Sequence, residues 1–413
     1  MTIGEPAASP TRSPFLDVLL PFAGGYFLSY LYRSVNAIIG TDLAREFHLS
    51  PADLGLLTSA YFLTFALFQL PLGLLLDRFG PRRTDAALLL IAAGGAALFA
   101  SARQLPLLIL GRALIGLGVS GCLMSGIKAN VIWFPLSRLS AVNGWMFCAG
   151  GAGMIAATLP VQIALRHTGW RTLFLVLAAA TVIAALAIFR IVPERKAESG
   201  QPSFSHQLEG LRQVFVDRRF WRIAVAATLA QSTNMALQSL WSGPWLRDVA
   251  GLDPEAVAVD LLLMACATTI GFLFWGNFAE RIAKRGVAPL TVFLIGMGIF
   301  LLFQLLATLG WKQSPLLLWM GFGFFGTAGS LAYAILPQAF PLPLAGRVNT
   351  ALNSLVFGWA FVVQWAIGAV LSLWPVTANG YDAQGYRWAF GVFLLAQTLA
   401  WCWMVICTRD IAH

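Results

Sequence analysis

Two arginines carry the first chemical signal in this sequence. Arg33 and Arg112 lie inside long apolar runs, in "FLSYLYRSVNAIIG" and "LPLLILGRALIGLG". At a rise of about 1.5 Å per residue, each guanidinium sits about 10 Å from the nearer end of its run. No Asp or Glu falls in the middle of any such run to neutralise them; Asp17, Asp53, Asp85 and Asp260 are all near run ends. A guanidinium is permanently charged, presents a planar fork of donors, and is costly to bury unpaired. Two of them without a resident carboxylate make a site that attracts an anion, with Tyr30 beside Arg33. The competing reading is structural, with Arg33 satisfied by carbonyls and the Tyr26 or Tyr30 hydroxyls, and Arg112 serving as buried support. Lys128 lies further along the fourth run, about 160° round a helix from Arg112, and is expected to reach for the membrane surface.

A second set is uncharged. Gln231, Asn234, Gln238, Trp241 and Trp245 recur at intervals of three or four residues in the seventh run. Such a stripe is either the wall of a wet cavity or a polar seam between helices; facing lipid it would be unsatisfied. Tyr333, Asn353 and Gln364 are further candidates on the same logic.

Other chemistries are poorly supplied. The sequence has no HExxH, no GxSxG and no carboxylate pair inside an apolar run, so enzyme chemistry, a metal site and a cofactor are not expected. Five cysteines (Cys122, Cys148, Cys266, Cys402, Cys407) sit in apolar runs without CxxC spacing and read as small buried hydrophobes. "GLGVSG" (Gly116 to Gly121) fits a GxGxxG pattern but lies within an apolar run, where glycines instead let a neighbouring backbone approach.

The elements that must position these residues follow from composition. The chain of 413 residues is 58% hydrophobic and 11% charged, with a mean hydropathy of +0.75. A soluble domain would carry about a quarter charged residues. Runs of about 20 apolar residues, each long enough to span a bilayer, number twelve: 15–39, 52–76, 84–102, 105–131, 139–164, 170–192, 221–246, 255–279, 287–309, 314–337, 348–373 and 386–408. The expected organisation is a tail at 1–14, six spans in 15–192, a polar linker at 193–220, six spans in 221–408 and a tail at 409–413. In the linker, Leu208, Leu211 and Phe215 share a helical face, which suits a helix lying on the membrane surface. The first span follows a polar tail and is too long for a signal-peptide core, so it is expected to stay uncleaved. Arg78, Arg82, Arg83, Arg138, the cluster from Arg190 to Arg222, Arg281, Lys284, Arg285 and Arg347 fall on one side of the membrane. The opposite loops hold fewer: Arg45, Arg103, Arg166, Arg171, Arg247, Lys312 and Arg387. This bias puts both termini in the cytoplasm and accounts for the net charge of +9 without nucleic acid.

The two halves repeat. "GLLLDRFGPRR" (Gly73 to Arg83) returns as "GNFAERIAKRG" (Gly276 to Gly286), and "GLGVSG" as "GFGFFG" (Gly321 to Gly326). "FPLSRLSAVN" (Phe134 to Asn143) returns as "FPLPLAGRVN" (Phe340 to Asn349), and "GWRTLF" before span six as "GYRWAF" before span twelve. Four pairs in the same order argue for two homologous six-helix bundles in parallel orientation.

Twelve spans in two such halves, with G-x-x-x-D-R-x-G-x-R-R between spans two and three, resemble the major facilitator superfamily across essentially the whole chain. Gly73, Asp77, Arg78, Gly80, Arg82 and Arg83 match its loop motif, and Arg112, Gly116 and Gly118 match part of its fourth-helix motif. The fifth-helix antiporter motif is not matched, since "GWMFCAGGAG" lacks the proline. The resemblance implies an all-α polytopic fold of twelve transmembrane helices, multi-pass in a cell membrane, the bacterial inner membrane, working as a monomer. It implies a latch in which Asp77 meets the positive end of span eleven, with Gly73 allowing the approach and Arg78, Gly80 and Arg82 completing the loop. Glu280 and Arg281 would be the pseudo-symmetric latch against span five.

"YLYRSVN" (Tyr30 to Asn36) is similar to a stretch in the superfamily's organic-anion/proton symporters, where the arginine contacts a substrate carboxylate. Arg33 matches that arginine. The two acids associated there with proton coupling are replaced by Tyr32 and Val119. The expectation is a secondary transporter for a small organic anion, proton-linked, with substrate-contacting residues Arg33, Tyr30, Arg112, Gln231, Asn234, Gln238, Trp241, Tyr333 and Asn353. The alternatives are efflux of amphipathic compounds, exchange of one anion for another, and a transport-inactive membrane receptor.

Overall fold

A computed structural model describes residues 13–194, 204–341, 344–376 and 380–409. Ten helices among the described residues are long and apolar enough to cross a membrane. One of them, Pro51–Ser101, holds two spans, because Gly80 adopts φ 75° and ψ 167° and turns the chain before Pro81 starts the next helix. Only glycine takes that backbone conformation without strain, and proline suits a helix start because its missing N–H needs no partner there. The seventh span is Arg218–Ala236, continued by Leu237–Trp241 and Ser242–Asp248. It falls below that level of apolarity because it carries the polar stripe, which the bundle buries. These two cases complete the expected twelve.

The remaining spans are built the same way. Span one runs through Phe15–Leu19, Leu20–Ser34 and Asn36–Glu46, and span four through Leu105–Val119 and Cys122–Trp133. Span five is Leu136–Ala156 with Leu159–His167, and span six is Trp170–Ile191. In the second half, spans eight and nine are Pro254–Ala283 and Pro289–Leu309. Span ten is Pro315–Gly326 continued by a tighter stretch, Thr327–Leu331, and by Ala332–Ile335; spans eleven and twelve are Ala345–Leu371 and Ala383–Arg409. Local chemistry fixes the ends. Ser50 and Asp53 form a reciprocal capping box ahead of span two. Asp253 accepts from the amides of Glu255 and Ala256 at the start of span eight.

Within each half, small residues bring backbones together. Gly116 lies against the Tyr61 backbone and Gly118 against Ala92, while Gly323, in the repeat, faces the Met264 carbonyl at 2.9 Å from its Cβ position. Side chains there would force the helices apart. Residues 1–12, 195–203 and 410–413, which hold most of both expected tails and part of the linker, lie outside the described residues. The described linker forms a helix, Phe204–Val216, whose Leu211 and Val214 are buried and whose Gly210 packs on Arg347 of span eleven. The helix is therefore seated on the second half; Leu208, part of the expected surface face, lies outside the described side chains.

With twelve spans, the first begins and the last finishes on the same face of the bundle, here called the termini face; the other is the distal face. Close contacts between halves gather at the distal face. Gly243 meets the Ala37 carbonyl, Gly368 meets the Pro51 carbonyl, and Arg166 pairs with Glu255. Ala52 donates its amide to Ser372 Oγ at 3.1 Å. Nearer mid-depth, Phe65 and Phe357 stack across the halves at 3.8 Å and 9°.

Candidate functional site

Between the halves, from mid-depth towards the termini face, lies a cavity of about 450 Å³. Span one contributes Tyr26, Tyr30 and Arg33; span seven Gln231, Asn234 and Gln238; span ten Tyr333; and span eleven Asn349, Asn353 and Phe357. A volume of this order suits a small molecule.

Arg33 is the cation of this cavity wall. Its Cζ stands 4.2 Å from the centre of the Tyr30 ring and 5.3 Å from that of Phe357. Those ring faces hold the guanidinium in place through cation–π attraction without neutralising it. Its Nε is buried and has no hydrogen-bond partner, and Arg33 makes no salt bridge among the described residues. A planar donor fork fixed in a cavity in this way can accept a carboxylate or sulfonate with two parallel hydrogen bonds.

Opposite stand the amides. Gln238 donates to Asn234 Oδ1 at 3.0 Å and to Thr268 Oγ1 at 3.1 Å, and Tyr333 shares a hydrogen bond of 3.1 Å with Asn353 Oδ1. Asn234 and Gln231 also rest on Gly326 and Gly329 of span ten. The stripe is thus both a cavity wall and a seam between helices, the two readings the sequence left open.

Two expected contact residues stand elsewhere. Arg112 is 0% exposed and outside the lining. Span four reaches the cavity with Val119, Ser120 and Ile127, whereas Arg112, about two turns earlier, is enclosed among helices of the first half. It packs by Tyr61 and Phe99 and donates to the Tyr32 carbonyl at 3.2 Å. Trp241 is also fully buried, donating to the Gln364 carbonyl at 3.1 Å. The cause is local: Leu237–Trp241 is a π-turn. Its wider turn carries Trp241 off the face that α-helical spacing assigns to it.

The loop residues lie at the termini face. Asp77 makes a salt bridge of 2.5 Å with Lys128 of span four, which is thereby engaged within the protein instead of extending to the membrane surface. Gly73 precedes Asp77 on span two, Arg78 is exposed beside Phe79, and Gly80 makes the turn. Arg82 donates through Nε and Nη2 to the Phe189 carbonyl at 2.9 and 2.5 Å, tying span three to the end of span six. In the pseudo-symmetric loop, Glu280 pairs at 3.1 Å with Lys284, which caps the end of the same helix, and Arg281 is exposed.

Sequence reasoning missed Asn349, Phe357, Gln69 and Ser120 in the lining. Asn349 and Asn353, one helical turn apart on span eleven, were a readable signal; Phe357 was not, since a lone aromatic in an apolar run is ordinarily packing.

The comparisons agree with this architecture. Residues 22–364 match the model of the Major Facilitator Superfamily, and the chain belongs to that family. It is similar to a probable sulfoacetate transporter of Cupriavidus necator, 24% identical over 365 residues covering 82% of this chain and 83% of the relative. It is also similar to the niacin transporter of Acinetobacter baylyi, 25% identical over 379 residues covering 89% and 81%. Among solved structures, a bacterial homologue of the human lysosomal transporter Spinster, inward-facing and occupied, superposes with a TM-score of 0.76 at 17% identity, covering 96% of this chain and 98% of that one. The protein is a multi-pass membrane transporter of small molecules and not an enzyme.

Proposed function

We propose that this transporter carries a small organic anion by alternating access, proton-linked, with the anionic group of the substrate on Arg33 and its remainder against Tyr30, Tyr333, Asn353 and the Gln231, Asn234 and Gln238 amides. The observation that carries this reading is an arginine fixed in the cavity wall between two rings with its Nε unpartnered. Sulfoacetate and niacin, the compounds for which two relatives are named, are both small organic anions at neutral pH. Coupling to protons meets a physical need. A negative-inside potential opposes an entering anion by about 2.3 kcal/mol per charge per 100 mV, and a co-transported cation offsets that cost. In this reading the protein is a monomer of the bacterial inner membrane with cytoplasmic termini, and the arrangement described faces inward.

The test is uptake of labelled sulfoacetate and nicotinate into liposomes with an alkaline interior, with and without a protonophore. Accumulation that the protonophore abolishes is expected. Uptake indifferent to the gradient but dependent on preloaded anion would establish exchange. Expulsion of an amphiphile with no anion movement would replace the anion reading, for which the apolar part of the lining (Phe65, Met124, Phe147, Phe357) gives a specific basis.

A further inference from the structure

The acids that carry coupling in the resembling symporters are absent from spans one and four, yet the first half holds a buried acid on span three. Asp85 follows the Gly80–Pro81 break by about one helical turn and is 0% exposed. Both of its carboxyl oxygens lack a hydrogen-bond partner.

Its surroundings are specific. Span one offers Gly25, whose Cβ position is 3.7 Å from Oδ2 and equally near Ile188 of span six. Span four offers Gly121, whose Cβ position is 3.2 Å from Oδ1, together with Cys122 and Ser125. Cys122 and Ser125 lie against the carboxyl without completing a hydrogen bond, and the Ser125 hydroxyl is itself unpartnered. No charged group is among these neighbours, and Cys122 is the one titratable side chain. Lys128, the next basic residue on span four, is taken by Asp77. An ionised carboxylate in such a chamber is strongly disfavoured, whereas the neutral acid carries no charge to solvate. Ionisable side chains inside a membrane are costly and ordinarily functional.

The chamber is linked to the cavity. Gly25, whose Cβ position lies 3.7 Å from Asp85 Oδ2, immediately precedes Tyr26 on span one. The Tyr26 ring meets Tyr30 edge-on at 5.0 Å, and Tyr30 underlies Arg33 at 4.2 Å. Tyr26 and residues flanking Cys122, namely Ser120, Leu123 and Met124, line the cavity.

We propose that Asp85 is a proton-binding site coupled to the anion site at Arg33 through Gly25, Tyr26 and Tyr30 of span one. One proton binds a carboxylate oxygen and leaves from it in each cycle, with no other bond made or broken. With Asp85 neutral, the half holding Arg33 carries one less negative charge, so anion binding and proton binding favour each other, as linkage requires. The coupling rests on the anion reading; proton binding by Asp85 does not.

Two measurements test the two parts. Infrared difference spectra of bilayer-embedded wild type minus Asp85→Asn at neutral pH should show a protonated-carboxyl C=O band; its absence overturns proton binding. Should Asp85→Asn fail to fold, Asp85→Glu must shift that band, and an unshifted band has the same meaning. In liposomes, with sulfoacetate and nicotinate as probes, the ratio of gradient-driven accumulation to anion exchange should fall at least about tenfold in Asp85→Asn, within the range of ordinary coupling strengths. An unchanged ratio overturns the coupling. If wild type moves neither anion, the anion reading and the coupling fail together, and the infrared band still decides proton binding.

Discussion

Gln364 of span eleven donates to Thr58 Oγ1 of span two at 2.7 Å, joining the two halves where no solvent reaches either side chain. Ser239 of span seven donates to Gln364 Oε1, also at 2.7 Å, and Thr58 in turn donates to the Leu54 carbonyl. Gln364, expected as a possible lining residue, is thus a polar tie that holds the distal face closed. Gln364→Leu removes two buried hydrogen bonds, worth about 1–3 kcal/mol together. It should shift the population towards a distal-open form by roughly five- to a hundredfold. Labelling of a single cysteine introduced between the halves near the distal face should speed up; an unchanged rate would make the tie incidental.

Glycines at the same face act by size. Gly368 sits on the Pro51 carbonyl and Gly243 on that of Ala37. Gly368→Val should cost the closed arrangement about 1–3 kcal/mol by overpacking while leaving each half folded. Spin-label distances across the distal face should lengthen. Unchanged distances would show that the halves close without this contact.

At the termini face, Asp77 is held by Lys128 in its own half. If Asp77 moves to the start of span eleven when the distal face opens, its two partners compete. Lys128→Met should favour the distal-open form and Asp77→Asn should oppose it, each by a few-fold at most because the pair is about one-third exposed. Opposite shifts in cysteine accessibility at the termini end of span eleven support the exchange. Shifts in the same direction would reduce the pair to ordinary surface charge.

These relationships show what the sequence made legible. Twelve spans, the duplicated halves and Arg33 in the cavity wall follow from apolar run lengths, ordered repeats and the rarity of charge inside a run. The placement of Trp241 does not. Counting by three and four assumes an unbroken α-helix, and one π-turn defeats it. Arg112 lies at the expected depth, but depth alone does not tell whether a side chain faces the cavity or, as here, Tyr61, Phe99 and the Tyr32 carbonyl of its own half. Asp85 stands at the end of an apolar run; its burial comes from Gly25 and Gly121, contacts between helices far apart in sequence. The linker helix shows amphipathic spacing whether its apolar face meets lipid or, as found for Leu211 and Val214, protein.

The central claim is that Arg33 holds the substrate's anionic group, and direct binding tests it without assuming a coupling ion. Calorimetric titration of sulfoacetate and nicotinate into wild type, Arg33→Lys and Arg33→Ala should show measurable affinity for at least one anion in wild type. That affinity should fall at least about tenfold, or 1.4 kcal/mol, in Arg33→Ala, with only partial recovery in Arg33→Lys, where a point charge replaces the bidentate fork. Equal affinity in wild type and in a folded Arg33→Ala protein would contradict the account.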